Sequence, residues 1–328
     1  MRGSTIAGIG HYLPERILTN AELERLVETS DEWIVTRTGI RERRIAAPEQ
    51  ASSDLGLEAA REAMADAGVG PEDLDLIIVG TATPDMLFPA TACILQDRLG
   101  ARRAGAFDLS AACSSWAYGI AVAHSYVSSG LADTVLVVGA ETLSKITDWK
   151  DRSTCVLFGD SAGAAVIRPC EVGQGFLSFY LGADGSGGSL ITLPAGGSRR
   201  PASYETLERG EHFLKMNGRE VYKFAVRQIP RAIEEAAARA GVRLEDVDWF
   251  IPHQANIRII DAAAERLGQP REKFYVNVER FGNTSSASVP VALYEAVRSG
   301  RLKRGDLAVL VAFGGGLTWA SAALRWTR

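Results

Sequence analysis

The sequence has little cysteine, no long apolar run and no excess of positive charge. Four cysteines among 328 residues are too few for a disulfide-rich scaffold, and none stands in a CxxC or zinc-ligand spacing. No apolar stretch approaches the roughly 20 residues that a membrane-spanning helix needs, and the first residues contain no apolar core of signal-peptide length. These absences predict a cytoplasmic protein without a disulfide framework, a metal site or a membrane segment.

The charge balance also argues against a broad surface for nucleic acid. Lys and Arg together number 36 and Asp and Glu 40, which gives a formal net charge of -4. What is present is ordinary globular composition, with 46% apolar and 23% charged residues. A chain of 328 residues exceeds the size at which one hydrophobic core stops growing, so two core-forming units are expected.

An internal repeat predicts how these two units are built. Residues 59–75 (AAREAMADAGVGPEDLD) and 232–248 (AIEEAAARAGVRLEDVD) are identical at ten of seventeen positions, with a constant offset of 173. Each copy leads into an apolar segment, LIIVGTA (76–82) or WFIPHQA (249–255), which is typical of a buried strand. A second pair of helices, 112–130 and 282–300, aligns at an offset of 170 when counted back from a shared SG dipeptide.

These matches predict an α/β protein made of two similar halves related by a pseudo-twofold axis, with parallel strands covered on both faces. We expect an N-terminal half at 1–172 and a C-terminal half at 173–328, with a Gly- and Ser-rich loop excursion near 184–217. The helix after residue 112 is apolar on most sides from Trp116 to Val127, which predicts that it is buried.

Three residues with side chains suited to thiol chemistry fall on the predicted interface between the two halves, which we call the seam. Cys113 lies at the start of the buried helix, where the helix dipole is expected to lower the pKa of a thiol. Asn283 occupies the same position of the matched helix at the 170 offset. His253 follows a predicted strand, at an end where open α/β sheets bind ligands.

Each of these residues has a structural alternative. A free cysteine is commonly buried and inert, and a lone histidine at a strand end is often a satisfied core residue. Asn283 suits an Asx turn or N-cap, which is compatible with a second role in chemistry. Gly315, in AFGGGLTW, is either part of a flexible turn or a place where a backbone N–H approaches a reacting oxygen. Their convergence favours a catalytic site.

Six motifs along the chain resemble the β-ketoacyl-acyl carrier protein synthase III family. The motifs are TSDEWIVTRTGIRERR (29–44), FDLSAACSSW (107–116), FGDSAGAAV (158–166), IPHQANIRII (251–260), GNTSSASVP (282–290) and FGGGLTW (313–319). They cover essentially the whole chain in the family's order. The resemblance implies a thiolase-like, five-layered αβαβα fold, a homodimer, and a catalytic triad of Cys113, His253 and Asn283.

The resemblance also implies a reaction and its substrates. The family condenses a short acyl-CoA starter with malonyl-acyl carrier protein (malonyl-ACP), releasing CoA and carbon dioxide, and so initiates bacterial type II fatty acid synthesis. Acyl-CoA is then a substrate, and no cofactor is implied. The oxyanion hole would consist of the backbone N–H groups of Cys113 and Gly315, and Phe88 of a dimer partner would close the acyl pocket. The positions that carry over for CoA binding are Trp33, Arg37, Thr38, Arg152, Gly218, Tyr222, Ala255, Asn256 and Ile259.

Some residues depart from the family's usual pattern. Tyr222 stands where Phe is frequent, and Asn217 before Gly218 is less usual. Ser114 and Ser115 replace a small Ala-Gly pair that often follows the cysteine. We expect the two serines to alter the wall of the acyl pocket without affecting the triad.

A basic stripe suggests where a carrier protein docks. Four basic residues recur every four positions on the helix that starts near Gly218, namely Arg219, Lys223, Arg227 and Arg231. Such a stripe is equally typical of a solvated helix face. Because Arg258 follows the histidine motif, at a family position near the site mouth, Lys223 and Arg258 are predicted to dock an acidic carrier protein.

Three rival functions share parts of this pattern. A related condensing enzyme, such as a type III polyketide synthase or a ketoacyl synthase-like acyltransferase, shares the three residues and differs in whether malonyl-ACP is consumed. A papain-like thiol hydrolase is disfavoured by the buried cysteine helix and the twofold repeat. A non-catalytic subunit of the same fold is disfavoured because all three residues are retained. The sequence leaves open the starter acyl group and whether the pathway is primary or specialised.

Overall fold

The computed structural model describes residues 2–328, which form two stacked β-sheets and the helices that cover them. The strands are β1 (Gly3–Tyr12), β2 (Arg16–Thr19), β3 (Glu42–Ile45), β4 (Leu76–Gly80), β5 (Gly105–Leu109), β6 (Val135–Glu141), β7 (Ser161–Cys170), β8 (Gly175–Ala183), β9 (Ile191–Thr192), β10 (Lys215–Met216), β11 (Trp249–Pro252), β12 (Leu307–Gly314) and β13 (Thr318–Arg325). The helices are α1 (Asn20–Leu23), α2 (Asp31–Thr38), α3 (Ser52–Ala67), α4 (Thr91–Leu99), α5 (Ser115–Ser129), α6 (Arg152–Cys155), α7 (Tyr204–Glu208), α8 (Gly218–Ala240), α9 (Ile257–Leu267), α10 (Val278–Phe281) and α11 (Ser288–Arg298).

Both main sheets are mixed rather than wholly parallel. The first sheet has the order β1-β7-β6-β4-β5, and β4 pairs in parallel with β5 and β6. The second has the order β11-β12-β13-β8, and β11 pairs in parallel with β12. The repeat located β4, β6, β11 and β12 but did not predict β5. Strands β1, β7, β13 and β8 pair antiparallel and lie outside the repeated segments. The predicted boundary at 172/173 falls between β7 and β8.

The sheets and helices form five layers. Helices α3 and α4 cover the outer face of the first sheet, α5 and α11 lie between the sheets, and α8 and α9 cover the outer face of the second. Strand β6 is apolar up to Ala140 because both of its faces are covered. Val137 packs in the central core with Trp116, whereas Val138 packs in the outer core with Leu95. Within residues 2–328, no helix is both long and apolar enough to cross a membrane.

The pseudo-symmetry is real, but one offset predicted from the sequence is wrong. Ala112 has φ +48° and begins a short 3₁₀ turn that leads into α5. Ser285 has φ +47° and begins the 3₁₀ turn that leads into α11. The two turns are therefore 173 residues apart, like the first repeat, and the structural counterpart of Cys113 is Ser286 rather than Asn283. The alignment from the helix ends failed because α5 has 15 residues and α11 has 11.

The excursion at 184–217 is folded back onto the N-terminal half. It contains a 3₁₀ segment at Gly185–Leu190, the short β9–β10 ladder and helix α7. The Leu214 N–H donates to the Ile146 carbonyl at 2.8 Å, which ties the excursion to the loop that follows β6. This contact closes one side of the cavity described next.

Candidate active site

A cavity of about 1110 Å³ opens where the ends of β5, β11 and β12 meet the turn before α11. Cys113, His253 and Asn283 all line it, together with Gly315. The structure thus brings together the three residues that the sequence predicted to converge, although Cys113 and Asn283 are not related by the pseudo-twofold axis.

Cys113 is held in a tight turn immediately before α5. The preceding residue, Ala112, has the left-handed φ of +48°, which a non-glycine residue adopts only when the surroundings impose it. The Ala111 N–H donates to the Ser115 hydroxyl at 2.8 Å, so the first residue of the helix holds the turn. A Cβ on Gly314 would lie 2.6 Å from the Cys113 backbone nitrogen, so only glycine allows the end of β12 to pack against this turn.

The expected lowering of the Cys113 pKa is wrong for this structure. Burial raises the pKa of the thiol to about 12, and the nearby Glu141 carboxyl adds to the increase. A hydrogen bond from Ser285 acts in the opposite direction but is outweighed. The thiol is therefore protonated at neutral pH, because desolvation of the thiolate outweighs stabilisation by the helix terminus.

The orientation of the His253 imidazole is fixed by a hydrogen bond at Nδ1. His253 directly follows β11, its N–H donates to the Val311 carbonyl at 2.7 Å, and its side chain is only 1% exposed. The Ser288 hydroxyl lies 2.5 Å from Nδ1 and accepts the Gln254 N–H at 3.4 Å. Among the described residues Nδ1 is the only acceptor within reach of this hydroxyl, so we assign the hydroxyl proton to the bond with Nδ1. This arrangement leaves the ring proton on Nε2.

The remaining ring nitrogen of His253 is therefore a donor on the cavity side. Among the described residues, none hydrogen-bonds to the buried Nε2. Burial lowers the pKa of His253 to about 3, so the ring is uncharged at physiological pH. The site thus offers an N–H donor without a formal positive charge.

Asn283 combines the two roles considered for it. Its Oδ1 accepts the Ser285 N–H at 2.9 Å, forming an Asx turn. Its backbone N–H donates to the Leu157 carbonyl at 2.8 Å, and its carbonyl accepts the Gly159 N–H at 3.0 Å. Because Oδ1 is occupied in this turn, Nδ2 is the polar atom of the side chain that is available to donate into the cavity.

Aromatic and basic side chains stand at the mouth of the cavity. The guanidinium of Arg152 lies 5.0 Å and that of Arg37 5.9 Å from the centroid of the Trp33 ring. Arg258 lies 5.5 Å from the centroid of Tyr222. Of the predicted CoA-binding positions, the cavity is lined by Trp33, Arg37, Thr38, Gly218, Tyr222, Ala255, Asn256 and Ile259. Arg152 stands beside the mouth without lining the cavity.

Two of these positions also make structural hydrogen bonds to the backbone. The Thr38 hydroxyl donates to the Ile34 carbonyl at 2.6 Å within α2. The Asn256 Nδ2 donates to the Arg37 carbonyl at 3.0 Å, which connects the start of α9 to α2 across the entrance. Both contacts orient the backbone at the mouth of the cavity. Lys223 and Arg258, the predicted docking residues, line the same mouth.

Phe88 and the two serines lie outside the cavity. The Phe88 side chain is 83% exposed in the loop after β4 and does not line this chain's own cavity. Ser114 and Ser115 are fully buried and bonded to the backbone of the turn. Contrary to the prediction, neither serine forms part of the cavity wall. The Ser115 hydroxyl bonds within the turn, and the Ser114 hydroxyl bonds to the turn and to Thr318.

Sequence reasoning missed several residues that shape the site. Glu141 is completely buried at the end of β6, and burial raises the pKa of its carboxyl. A carboxylate ending an otherwise apolar strand, as in VLVVGAE, is the signal that could have found it. Ser288 and Thr318 had no such signal, because their importance depends on contacts with distant residues. An apolar wall made by Leu143, Ile146, Ile191 and Leu214 was also not foreseen.

This fold and site define a thiolase-fold condensing enzyme, an acyltransferase. Residues 107–185 match the family described as 3-oxoacyl-acyl-carrier-protein (ACP) synthase III, and residues 237–326 match its C-terminal model, 3-oxoacyl-acyl-carrier-protein (ACP) synthase III C terminal. The chain therefore belongs to the β-ketoacyl-acyl carrier protein synthase III family.

Individual relatives agree with this family over the full length. The chain is 58% identical to the β-ketoacyl-acyl carrier protein synthase III of Caldanaerobacter subterraneus subsp. tengcongensis and 59% identical to that of Symbiobacterium thermophilum, covering 98% of this chain and of each relative. The crystal structure of 3-oxoacyl-acyl carrier protein synthase III from Aquifex aeolicus VF5 matches with a TM-score of 0.91 and 48% identity, over 99% of this chain and 100% of the other. The fold class excludes a papain-like hydrolase.

The raised pKa of Cys113 predicts how its alkylation depends on pH. The rate of reaction with iodoacetamide should keep rising between about pH 7 and 10, because the thiolate fraction grows about tenfold per pH unit below the pKa. Intact-mass spectrometry of the wild type against Cys113→Ala isolates the reaction at this thiol. A rate that levels off below about pH 8 would show that the pKa of the thiol is lowered instead.

Proposed function

We propose that the chain catalyses the decarboxylative condensation of an acyl-CoA starter with malonyl-ACP, forming β-ketoacyl-ACP, CoA and carbon dioxide at the first step of bacterial type II fatty acid synthesis. The observation that carries this proposal is the convergence of a thiol, an uncharged Nε2–H donor and an amide donor on one cavity. The steps use side chains, backbone N–H groups and the two substrates, so no cofactor enters them.

In the first half-reaction, Cys113 Sγ attacks the carbonyl carbon of the acyl-CoA thioester. The backbone N–H groups of Cys113 and Gly315 stabilise the oxyanion that forms. As the tetrahedral intermediate collapses, the bond to the CoA sulfur breaks and the acyl group remains on Cys113. Because the resting thiol is protonated, its proton leaves with the CoA thiolate and the half-reaction releases no net proton.

In the second half-reaction, His253 Nε2–H and Asn283 Nδ2–H donate to the thioester oxygen of malonyl-ACP. Carbon dioxide leaves, and the electron pair of the broken bond forms an enolate whose oxygen these donors stabilise. The enolate carbon attacks the acyl group on Cys113, and the Cys113 thiolate leaves and takes up a proton from solvent. An uncharged imidazole suits this role, because it can donate a hydrogen bond while keeping its own proton.

The mouth of the cavity suits the CoA nucleotide, and its interior suits an apolar starter. Trp33, flanked by the guanidinium groups of Arg37 and Arg152, provides stacking for adenine and positive charge for phosphates. The apolar wall formed by Leu143, Ile146, Ile191 and Leu214 accommodates a short acyl chain. We place the enzyme in the cytoplasm, where CoA thioesters and carrier proteins are available.

We further propose a homodimer in which the first sheet of one subunit pairs edge to edge with the first sheet of the other. Strand β5 is the outer strand of its sheet and is partly exposed, and an unpaired edge readily accepts another strand. Beside it, the loop after β4 exposes Leu87 at 77% and Phe88 at 83%. A partner subunit would cover these apolar side chains and receive Phe88 at its acyl pocket.

The dimer is tested by placing charge on this loop. The variant Leu87→Asp with Phe88→Asp should shift the protein from dimer toward monomer in sedimentation velocity, because two carboxylates would be desolvated in the interface. Leu131→Asp is the matched control, since Leu131 is an apolar side chain that is 75% exposed in another part of the surface. A wild-type monomer, or a double variant that dimerises as tightly as wild type, contradicts this interface.

The proposed roles of the triad predict that single substitutions separate the half-reactions. Cys113→Ala should abolish the acyl-enzyme detected by intact mass. His253→Ala and Asn283→Ala should still form it but lose carbon dioxide release from malonyl-ACP by roughly 100-fold or more per lost donor, as for other oxyanion donors. If His253→Ala cannot be acylated yet still decarboxylates malonyl-ACP, His253 instead acts as the base for the thiol.

Docking of the acidic carrier protein is tested by charge reversal at the cavity mouth. Lys223→Glu with Arg258→Glu should raise the KM for malonyl-ACP, and more strongly at low salt, because screening weakens attraction between exposed charges. Arg231→Glu, two turns further along the same exposed face of α8, is the matched control. If the control and the double variant change the KM for malonyl-ACP equally, the docking site lies away from the mouth.

A further inference from the structure

Two hydroxyl groups from opposite halves of the chain meet behind the Cys113 turn. Ser114 Oγ and Thr318 Oγ1 lie 2.7 Å apart although the residues are 204 positions apart in sequence. Ser114 is fully buried at the end of the turn, directly before α5, and Thr318 is the first residue of β13. This is a direct polar contact across the seam between the two halves.

The same two hydroxyls also hold the backbone on both sides of the seam. The Ala111 carbonyl accepts from Ser114 Oγ at 2.7 Å and lies 2.9 Å from Thr318 Oγ1. Thr318 Oγ1 is also 3.2 Å from the Gly315 carbonyl. The Ala111 N–H is held by the Ser115 hydroxyl, so both peptide groups of Ala111 are restrained. Thr318 therefore contacts the backbone of both segments, at the Ala111 carbonyl of the Cys113 turn and at the Gly315 carbonyl after β12.

The restrained segments are those that carry the two backbone donors of the proposed oxyanion hole. Cys113 follows Ala112, whose φ of +48° is unfavourable without outside restraint. Gly315 follows Gly314, which packs directly against the Cys113 nitrogen. The relative position of the Cys113 and Gly315 N–H groups thus depends on contacts between two segments that are not covalently close.

We propose that Ser114 and Thr318 are positioning residues that set the spacing of the Cys113 and Gly315 N–H groups, and we call this pair the hydroxyl clamp. The inference rests on the proposed function, because it concerns the donors of that oxyanion hole. It assigns a role to Ser114, one of the two residues that depart from the common Ala-Gly pair.

Counting protons predicts that the two hydroxyls are not equivalent. Each hydroxyl has one proton to donate. Without Ser114, the single Thr318 proton can still bond to the Ala111 carbonyl across the interface between the two halves. Without Thr318, Ser114 bonds only to its own turn, and the hydroxyl link across the seam is lost. Thr318 should therefore matter more, and Ser114 should matter only while Thr318 is present.

The test measures single-turnover acylation of Cys113 by acetyl-CoA, using intact mass. Thr318→Val should slow acylation about 10- to 100-fold, since displacement of a catalytic group by an ångström can cost about 100-fold. Ser114→Ala should cost less, and adding it to Thr318→Val should cost nothing further. Thr318→Ser, which keeps the hydroxyl, should recover most of the rate lost in Thr318→Val.

Carbon dioxide release from malonyl-ACP is measured on the same variants to separate the clamp from general damage to the fold. Such damage would lower both rates, whereas loss of the clamp should lower acylation alone. Carbon dioxide release uses the His253 and Asn283 donors, so the clamp variants should retain it within about threefold while acylation falls. Ser321→Ala is the matched control, because Ser321 is a buried hydroxyl on the same strand that donates to the Ala232 carbonyl at 2.6 Å, away from the cavity. It should leave both rates near the wild-type values.

The possible failures are distinguishable. Unchanged acylation in Thr318→Val, or equal losses of acylation and decarboxylation in it, would overturn the clamp while leaving the proposed function intact. Additive losses from Ser114→Ala and Thr318→Val would overturn the clamp as a single unit. A wild-type protein that forms no acyl-enzyme on Cys113 would overturn the proposed function, and the clamp's role with it.

Discussion

The close packing of the Cys113 turn against the end of β12 is the contact on which the site depends. It brings a backbone segment from each half of the chain into direct contact, and Gly314 is required there because a Cβ would lie 2.6 Å from the Cys113 nitrogen. Helix α5 can deliver the turn to this position because it is buried between the two sheets. The cavity, the donors and the hydroxyl clamp are all arranged around this contact.

Burial at this contact also determines the charge state of the site. Desolvation raises the pKa of Cys113 to about 12 and lowers that of His253 to about 3, so both groups are uncharged at neutral pH. A resting thiolate–imidazolium pair is therefore absent from the residues that the structure describes. Negative charge forms only during the reaction, beside N–H donors that are already oriented, which is where preorganised dipoles are most effective.

The two halves share a turn but have different side chains at the equivalent places. Ser286, the counterpart of Cys113, lies 2.8 Å from Glu141 and 2.7 Å from the Gly80 carbonyl, so its hydroxyl is occupied by structural contacts. Glu141 is in turn the counterpart of Gly314. One half thus has a buried carboxyl beside its turn, while the other has a glycine against which its turn packs directly. The repeat provides the scaffold, and this asymmetry leaves one turn with an available nucleophile.

From its sequence alone, the chain determines the apolar strands, the buried helix and the doubled architecture, because periodicity and repetition are local properties. Residue type and motif order were likewise sufficient to single out Cys113, His253 and Asn283. The offset of the second helix pair could not be obtained correctly, because helix length is decided by tertiary packing. Nor could the sequence predict the antiparallel strands, the pKa of Cys113 or the Ser114–Thr318 contact. Desolvation and contacts between residues 204 positions apart exist only once the two halves have packed together.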